Sequence, residues 1–334
     1  MTRRPPAAAG QRLEEVDTPA LVLDLDAFEA NLATLNRAVG VCCQKVSEAE
    51  ALVDGGVQDV LVSNEIVGAP KIARLAELSK RARVGVCVDH PDNLKALKDS
   101  NAKLDVYIEL EVGMNRCGIA PGEPAVALAR QITGNLRFAG LHAYHGRAQH
   151  VRSMAERKAS IERAADAVRL TKSLLKSKSI DCPVVTGAGS GTFMFEVESG
   201  VWDEIQPGSY VFMDADYARN EWAAPLPRFQ HSLFVLATVM SRPKPEVAIV
   251  DAGLKASSVD SGMPGVWQRP GLAYTHASDE HGWVEGAPAP ALGEKLLLVP
   301  GHCDPTINLY DYYVCVRRGK VEALWPITAR GAVY

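Results

Sequence analysis

The chain has 334 residues, 47% apolar and 23% charged, a balance that excludes bulk disorder, collagen-like repeats and a coiled coil. Its 36 Lys and Arg against 40 Asp and Glu give a net charge of −4, so no basic field is available to neutralise phosphates and no nucleic-acid partner is expected. The longest apolar runs are strand-sized, short of the ~20 residues that span a bilayer, so no membrane is expected either.

The first ten residues, Met1 to Gly10, carry two arginines but no apolar stretch of the kind a secretory signal needs, and they read as a disordered leader. Seven cysteines are scattered without a CxxC pair, which points to reduced thiols in a cytoplasm rather than to a disulfide framework or a zinc knuckle.

From residue 26 the chain alternates helices and short apolar strands. Helix Asp26–Ala38 runs almost directly into strand Val39–Cys43. Helix Ser47–Asp54 follows, stopped by Gly55 and Gly56. Strand Asp59–Ser63 leads to helix Ala69–Lys80, and strand Arg83–Val88 to helix Pro91–Asp99. Strand Leu104–Leu110 precedes helix Glu123–Thr133, and strand Phe138–Ala143 the long helix Arg152–Ser177. Strand Pro183–Thr186 is followed by Gly187-Ala-Gly-Ser-Gly-Thr192, and strand Ser209–Met213 ends the series. Such alternation means βαβ units and a parallel sheet.

The repeat of about 25–35 residues is the unit size of a (β/α)₈ barrel, yet only seven strands are present. The shortfall falls between Ala38 and Val39, where no complete strand-helix unit intervenes. After Ala224 the texture changes. Pro225 and Pro227 mark a linker, and His231–Met240, Glu246–Asp251, Lys295–Pro300 and Tyr312–Val316 read as strands between Gly/Pro turns. The expected division is an incomplete barrel over 27–223 and a mostly antiparallel β domain over 224–334, joined by residues 16–26.

Ligands in parallel α/β folds sit at the C-terminal ends of the strands. Two loops there, and a third after strand Lys295–Pro300 of the β domain, stand out. Tyr144-His-Gly-Arg-Ala-Gln-His150 packs an aromatic, two imidazoles and a guanidinium into seven residues, either a surface for an anionic substrate or a solvated loop. Gly187–Thr192 offers glycines, hydroxyls and backbone N–H groups suited to a phosphate, with Gln206-Pro-Gly-Ser-Tyr210 able to complete it. In Gly301-His-Cys-Asp304, His302 and Asp304 lie two apart on what reads as an extended segment, hence on one face: half of a divalent-metal site.

Taken in order, Asp17-Thr-Pro-Ala-Leu-Val-Leu-Asp-Leu-Asp26, Gly40-Val-Cys-Cys-Gln-Lys45, Gly113-Met-Asn-Arg-Cys-Gly118, Gln206–Tyr210, Asp251-Ala-Gly-Leu-Lys255 and Gly301–Asp304 resemble the D-threonine aldolase and D-serine dehydratase group of pyridoxal-phosphate enzymes. The resemblance runs from about Val16 to the C-terminus, and the Tyr144–His150 loop looks most like the 3-hydroxy-D-aspartate aldolase branch. It implies an alanine racemase-like barrel plus β domain. It also implies that Ser190, Gly191, Thr192, Gly208, Ser209 and the adjoining Tyr210 hold the cofactor phosphate, with Gln44, Arg116 and Tyr144 near its ring. His302 and Asp304 would hold Mg²⁺ or Mn²⁺ against the substrate's β-hydroxyl, and His145 would be a candidate base. The implied protein is a homodimer acting on a small hydroxy amino acid.

The departure from the family is the Schiff-base lysine. The family carries it on the first barrel strand, in a Pro-His-x-Lys-Thr-His-Lys-like motif that is absent here, so about one βα unit, ~30–40 residues by barrel proportions, is expected to be missing. Lys45 and Lys255 lie in family motifs but not at the anchor position. The implied activity is cleavage of a D-3-hydroxy amino acid, 3-hydroxy-D-aspartate to glycine and glyoxylate or a D-threonine-type reaction. The alternatives are dehydration of D-3-hydroxyaspartate or D-serine by the same machinery, and non-catalytic binding of the cofactor.

Overall fold

The structure is a computed structural model that describes residues 5–35, 38–223 and 228–334. The proline-marked linker and the first four residues of the leader lie outside the described residues.

In chain order the strands are β1 (Ala20–Asp24), β2 (Val41–Cys43), β3 (Asp59–Glu65), β4 (Arg83–Val88), β5 (Leu104–Glu109), β6 (Leu136–Ala143), β7 (Val184–Gly187) and β8 (Glu204–Ile205). Then come β9 (Leu233–Lys244), β10 (Val247–Val250), β11 (Gly265–Val266), β12 (Ala273–Ala277), β13 (Gly282–Glu285), β14 (Lys295–Val299), β15 (Tyr312–Arg317) and β16 (Lys320–Pro326). The helices are α1 (Leu25–Thr34), α2 (Val46–Asp54), α3 (Ala69–Leu78), α4 (Pro91–Asp99), α5 (Glu123–Ala129), α6 (Met154–Ser177), α7 (Phe193–Ser199), α8 (Ala215–Ala218) and α9 (Cys303–Ile307).

The described residues form two compact units. The barrel unit, residues 38–208, 220–223 and 332–334, holds a seven-stranded parallel sheet in the order β2 to β8, curled into a half-barrel. Helices cover its strands, and in β4, Arg83-Val-Gly-Val-Cys-Val88, all but the first residue are buried. The helices start where the residues demand it. Pro91 opens α4 behind His90, whose ring accepts from Asp92 N–H, and Ser153 caps α6. Ile161, Ala164, Ala165, Val168 and Leu175 then supply the buried stripe of α6.

The sheet is open. β2 and β8 each have one sheet neighbour among the described residues, and Val41 on β2 is 39% exposed. No described strand lies between α1 and β2, so the expected gap in the stave count is real.

The second unit comprises 5–35, 209–219 and 228–331. β1 lies near the middle of its sheet, antiparallel to β9 and parallel to β15. Its alternate residues feed two cores. Leu21 and Leu23 pack with Leu233, Val235 and Ala237, and Ala20 and Val22 with Phe234 and Leu236. Burial on both faces explains why this stretch reads as an unbroken apolar run.

Three expectations are corrected. The boundaries differ: α1 and residues 209–219 belong to the β unit, not the barrel. The reason is Asn31, whose side chain donates to Val211 C=O and Gln230 C=O and accepts from Gln230 N–H. Ser209–Met213 is not the seventh strand; β8 is. Met213 and Phe212 N–H both fold back onto Ser209 C=O in a single 3₁₀ turn, a choice that a five-residue apolar run does not encode. Finally, 303–307 is a short helix rather than extended chain. Pro305 is harmless in its first turn and Asp304 favours the helix N-terminus, so strand alternation does not place His302 and Asp304 on one face.

Candidate active site

In the barrel unit the C-terminal ends of the strands carry a connected polar cluster. Glu109, 4% exposed at the end of β5, lies 3.4 Å from His142 Nδ1 and 4.0 Å from the Arg116 guanidinium. Arg116 in turn lies over the Tyr144 ring at 5.6 Å. The far nitrogen of His142 meets Gln206 Oε1 at 3.2 Å, and the Gln206 amide donates to Thr186 Oγ1 at 2.8 Å. Glu65, at the end of β3, is pushed up to about 7, first by burial and then by the Glu109 charge.

The loop after β5 is tied by Glu111, which accepts from Gly113 and Asn115 N–H at 2.8 and 2.7 Å. His145 rests against Gly113, where any Cβ would come within 2.4 Å of its Nε2. Burial holds the His145 ring below the usual imidazole range against the opposing pull of Glu111, which keeps it neutral and suited to accept a proton. Gln44, just past β2, donates to Ser63 Oγ at 2.8 Å. Thus Arg116, Tyr144 and His145 share the rim with Glu109 and His142, two groups that sequence reasoning missed. Their signal was a carboxylate and an imidazole at the C-terminal ends of two adjacent strands.

The glycine-rich loop after β7 is buried from Gly187 through Thr192, and Gln149 occupies it. Gln149 Oε1 accepts from Gly191 N–H at 2.9 Å, and its amide donates to Thr192 Oγ1 at 2.7 Å. A Cβ on Gly189 or Gly191 would strike Gln149 at 2.6 or 2.5 Å. These glycines therefore admit a side chain of this protein. Gly208 ends the barrel unit with open space beside it. Ser209 opens the 3₁₀ turn of the β unit, and the Tyr210 ring packs on Phe229 at 5.2 Å.

Thr192 donates to Glu196 on α7 at 2.7 Å. Glu196 is 1% exposed, and burial pushes its carboxyl from 4.5 to about 7 despite that hydrogen bond. A raised folded-state pKa means that the folded chain holds this proton more tightly than the unfolded chain. The contribution of this group to stability is therefore greatest below about 4.5, falls as pH rises to about 7, and is flat above. Glu196→Gln should unfold within about 1 kcal/mol of the parent in urea at pH 5 and gain about 3 kcal/mol at pH 8. An equal response at both pH values contradicts the assignment.

In the β unit, His302 immediately precedes α9 and its Nδ1 lies 2.7 Å from Asp214 Oδ2. Asp214 is fully buried. Oδ2 also accepts from Cys303 N–H at 3.1 Å and Oδ1 from Tyr217 N–H at 2.9 Å. Asp214, His302 and Cys303 offer metal-ligand atoms within 4.8 Å of one another, as do Cys87, Glu109 and His142 in the barrel unit. Asp304 is exposed on the first turn of α9.

The donor set around His302 fits a divalent cation. Asp214 spends its oxygens on three donors, which leaves the far nitrogen of His302, and the Asp304 carboxylate is exposed two residues further on. A lysine-anchored cofactor does not fit. No strand of the parallel sheet carries a lysine among the described residues, and Lys255 is exposed in an ion pair with Glu280.

A curled parallel sheet followed by a mostly antiparallel one is the architecture of alanine racemase-like proteins. The alanine racemase N-terminal domain model matches residues 23–216, and a serine dehydratase domain model matches 232–316. The chain belongs to the alanine racemase N-terminal domain family. Within it, the chain is 45% identical to the D-threonine aldolase of Arthrobacter sp., over 98% of this chain and 96% of the relative. It is 42% identical to the 3-hydroxy-D-aspartate aldolase of Paracoccus denitrificans, over the same shares. The crystal structure of D-threonine aldolase from Filomicrobium marinum superposes with a TM-score of 0.96 at 47% identity, covering 98% of this chain and 100% of the other. The Arthrobacter match extends over 365 aligned positions although this chain has 334 residues, so the relative contains sequence that is missing here.

Proposed function

We propose that the chain is a lyase of the D-3-hydroxy amino acid type, splitting 3-hydroxy-D-aspartate or a D-threonine-like substrate between Cα and Cβ with pyridoxal phosphate and Mg²⁺ or Mn²⁺. The observation that carries this reading is identity of 41–45% to three aldolases along nearly the whole chain. The D-threo-3-hydroxyaspartate dehydratase of Delftia sp., at 24%, shares less. Bound without that lysine anchor, the cofactor would supply an electron sink for the breaking bond. The protein's own part is positional. Arg116, braced by Glu109, presents a guanidinium beside the Tyr144 face, and neutral His145 is available to take a proton from a hydroxyl. In the β unit, His302 and Asp304 would hold the cation, whose chemistry is to acidify a bound hydroxyl. The reading includes a cytoplasmic homodimer.

Product analysis tests it. Protein supplied with pyridoxal phosphate, Mn²⁺ and methylamine, to stand in for the missing ε-amine, should release glycine with glyoxylate from 3-hydroxy-D-aspartate, or glycine with acetaldehyde from D-threonine. Ammonia and an oxo acid would overturn the aldolase reading in favour of dehydration. No product from either substrate would favour a non-catalytic cofactor carrier.

A further inference from the structure

We infer that Asp214 is the positioning residue for His302, holding its ring so that Nε2 faces outward as the ligand of the metal. The inference rests on the metal reading of His302 and Asp304 and adds a residue outside that pair.

The argument is one of lone pairs. A carboxylate only accepts hydrogen bonds. Asp214 Oδ2, 2.7 Å from His302 Nδ1, therefore requires a hydrogen on Nδ1. In the neutral ring that fixes the tautomer, with the lone pair on Nε2. The carboxylate cannot turn away, because Cys303 N–H and Tyr217 N–H hold its two oxygens from two different elements. Residues 215 and 216 are further latched to this segment by their backbone N–H groups, which donate to Pro300 and Gly301 C=O at 2.9 and 3.1 Å. The arrangement is also asymmetric in exposure. The Asp214 side chain is 0% exposed and that of His302 is 20% exposed, so the imidazole is the solvent-facing member of the pair. A buried carboxylate behind a half-open imidazole orients a metal-bound histidine, and losing such a partner typically costs 10–100-fold in metal affinity. Asp214 is separated from His302 by 88 positions, so nothing in the local motif announces it.

Mn²⁺ titration followed by electron paramagnetic resonance, on the full chain without added cofactor, tests the inference. The wild-type chain should bind, and His302→Ala and Asp304→Ala should each sharply weaken that binding; no binding by the wild type overturns the metal reading itself. Asp214→Asn keeps the cap of α8 and most of the volume, and should weaken Mn²⁺ by roughly 10–100-fold. Asp214→Ser, which also caps, should match it. Added to His302→Ala, Asp214→Asn should cost nothing further, because it acts through the ring. Nitrogen-15 spectra of His302 should show the Nδ1–H form in the wild type and its loss in Asp214→Asn. Mn²⁺ binding by Asp214→Asn equal to wild type, or an equal loss with and without the imidazole, overturns the inference while leaving the metal pair standing.

Discussion

Protein incubated with pyridoxal phosphate and reduced with borohydride should carry no cofactor on any lysine. The sheet strands from β2 to β8 hold Val, Leu, Cys, Glu, His and Thr, but no lysine. The nearest by position, Lys45, follows β2 as the first-turn neighbour of α2, with its backbone N–H bonded to Glu48. A lysine amine activates a carbonyl cofactor only when it is held within bonding reach, and none of the strands provides one. Turnover without added amine should lie at least ~1000-fold below that of a relative with its first strand intact, about 4 kcal/mol of barrier. Intact-mass spectrometry after reduction gives the answer directly. A stable adduct mapped to Lys45 or Lys255 would mean that the anchor has moved.

The second large effect is on stability. Gly140 lies on β6, opposite Val184 of β7, with φ of +148°. A Cβ there would sit 1.8 Å from Val184 C=O oxygen and 2.8 Å from its carbon. Both are backbone atoms of a paired strand, so relief requires parting β6 from β7. Gly140→Ala should cost at least ~4 kcal/mol, enough to remove a cooperative urea transition in a domain of ordinary stability. Gly208→Ala is the control, since its Cβ meets nothing within 4 Å, and it should unfold within about 0.5 kcal/mol of the parent. A Gly140→Ala midpoint close to wild type would mean that the strands are not in this register. The same strand carries His142 and leads directly into Tyr144, so its register also sets the rim of the candidate site.

Much of the barrel was legible because its signals are local. The strands at Asp59, Arg83 and Leu104 begin where apolar runs begin, and α4 starts at Pro91 because proline has the right φ and lacks the N–H that a first turn would waste. In the sequence β1 shows only as part of the Asp17–Asp26 motif. Its apolar run is short, and both of its faces are covered by strands more than 200 residues away. The short helices α8 and α9 carry too few residues for any periodicity, and 301–306 was read as extended for that reason.

The loops of the site were found from their chemistry, as imidazoles, glycines and hydroxyls gathered after strands. Their partners were not. Gln149 lies within the Tyr144–His150 loop, yet that it fills the glycine turn after β7 follows only from the fold. Glu109 and His142 come together because β5 and β6 are neighbours in register, and Asp214 meets His302 because residues 209–219 leave the barrel to join the β unit. The sequence by itself determined the alternation of strands and helices, the change of texture after the barrel, the missing stave and the family. Those depend on hydrophobic period and on motifs that local residues carry. Only the tertiary structure decided where the units divide, which carboxylate faces the metal histidine and which glycines are filled by side chains. Each of those is a contact between residues far apart in the chain, and no local propensity encodes it.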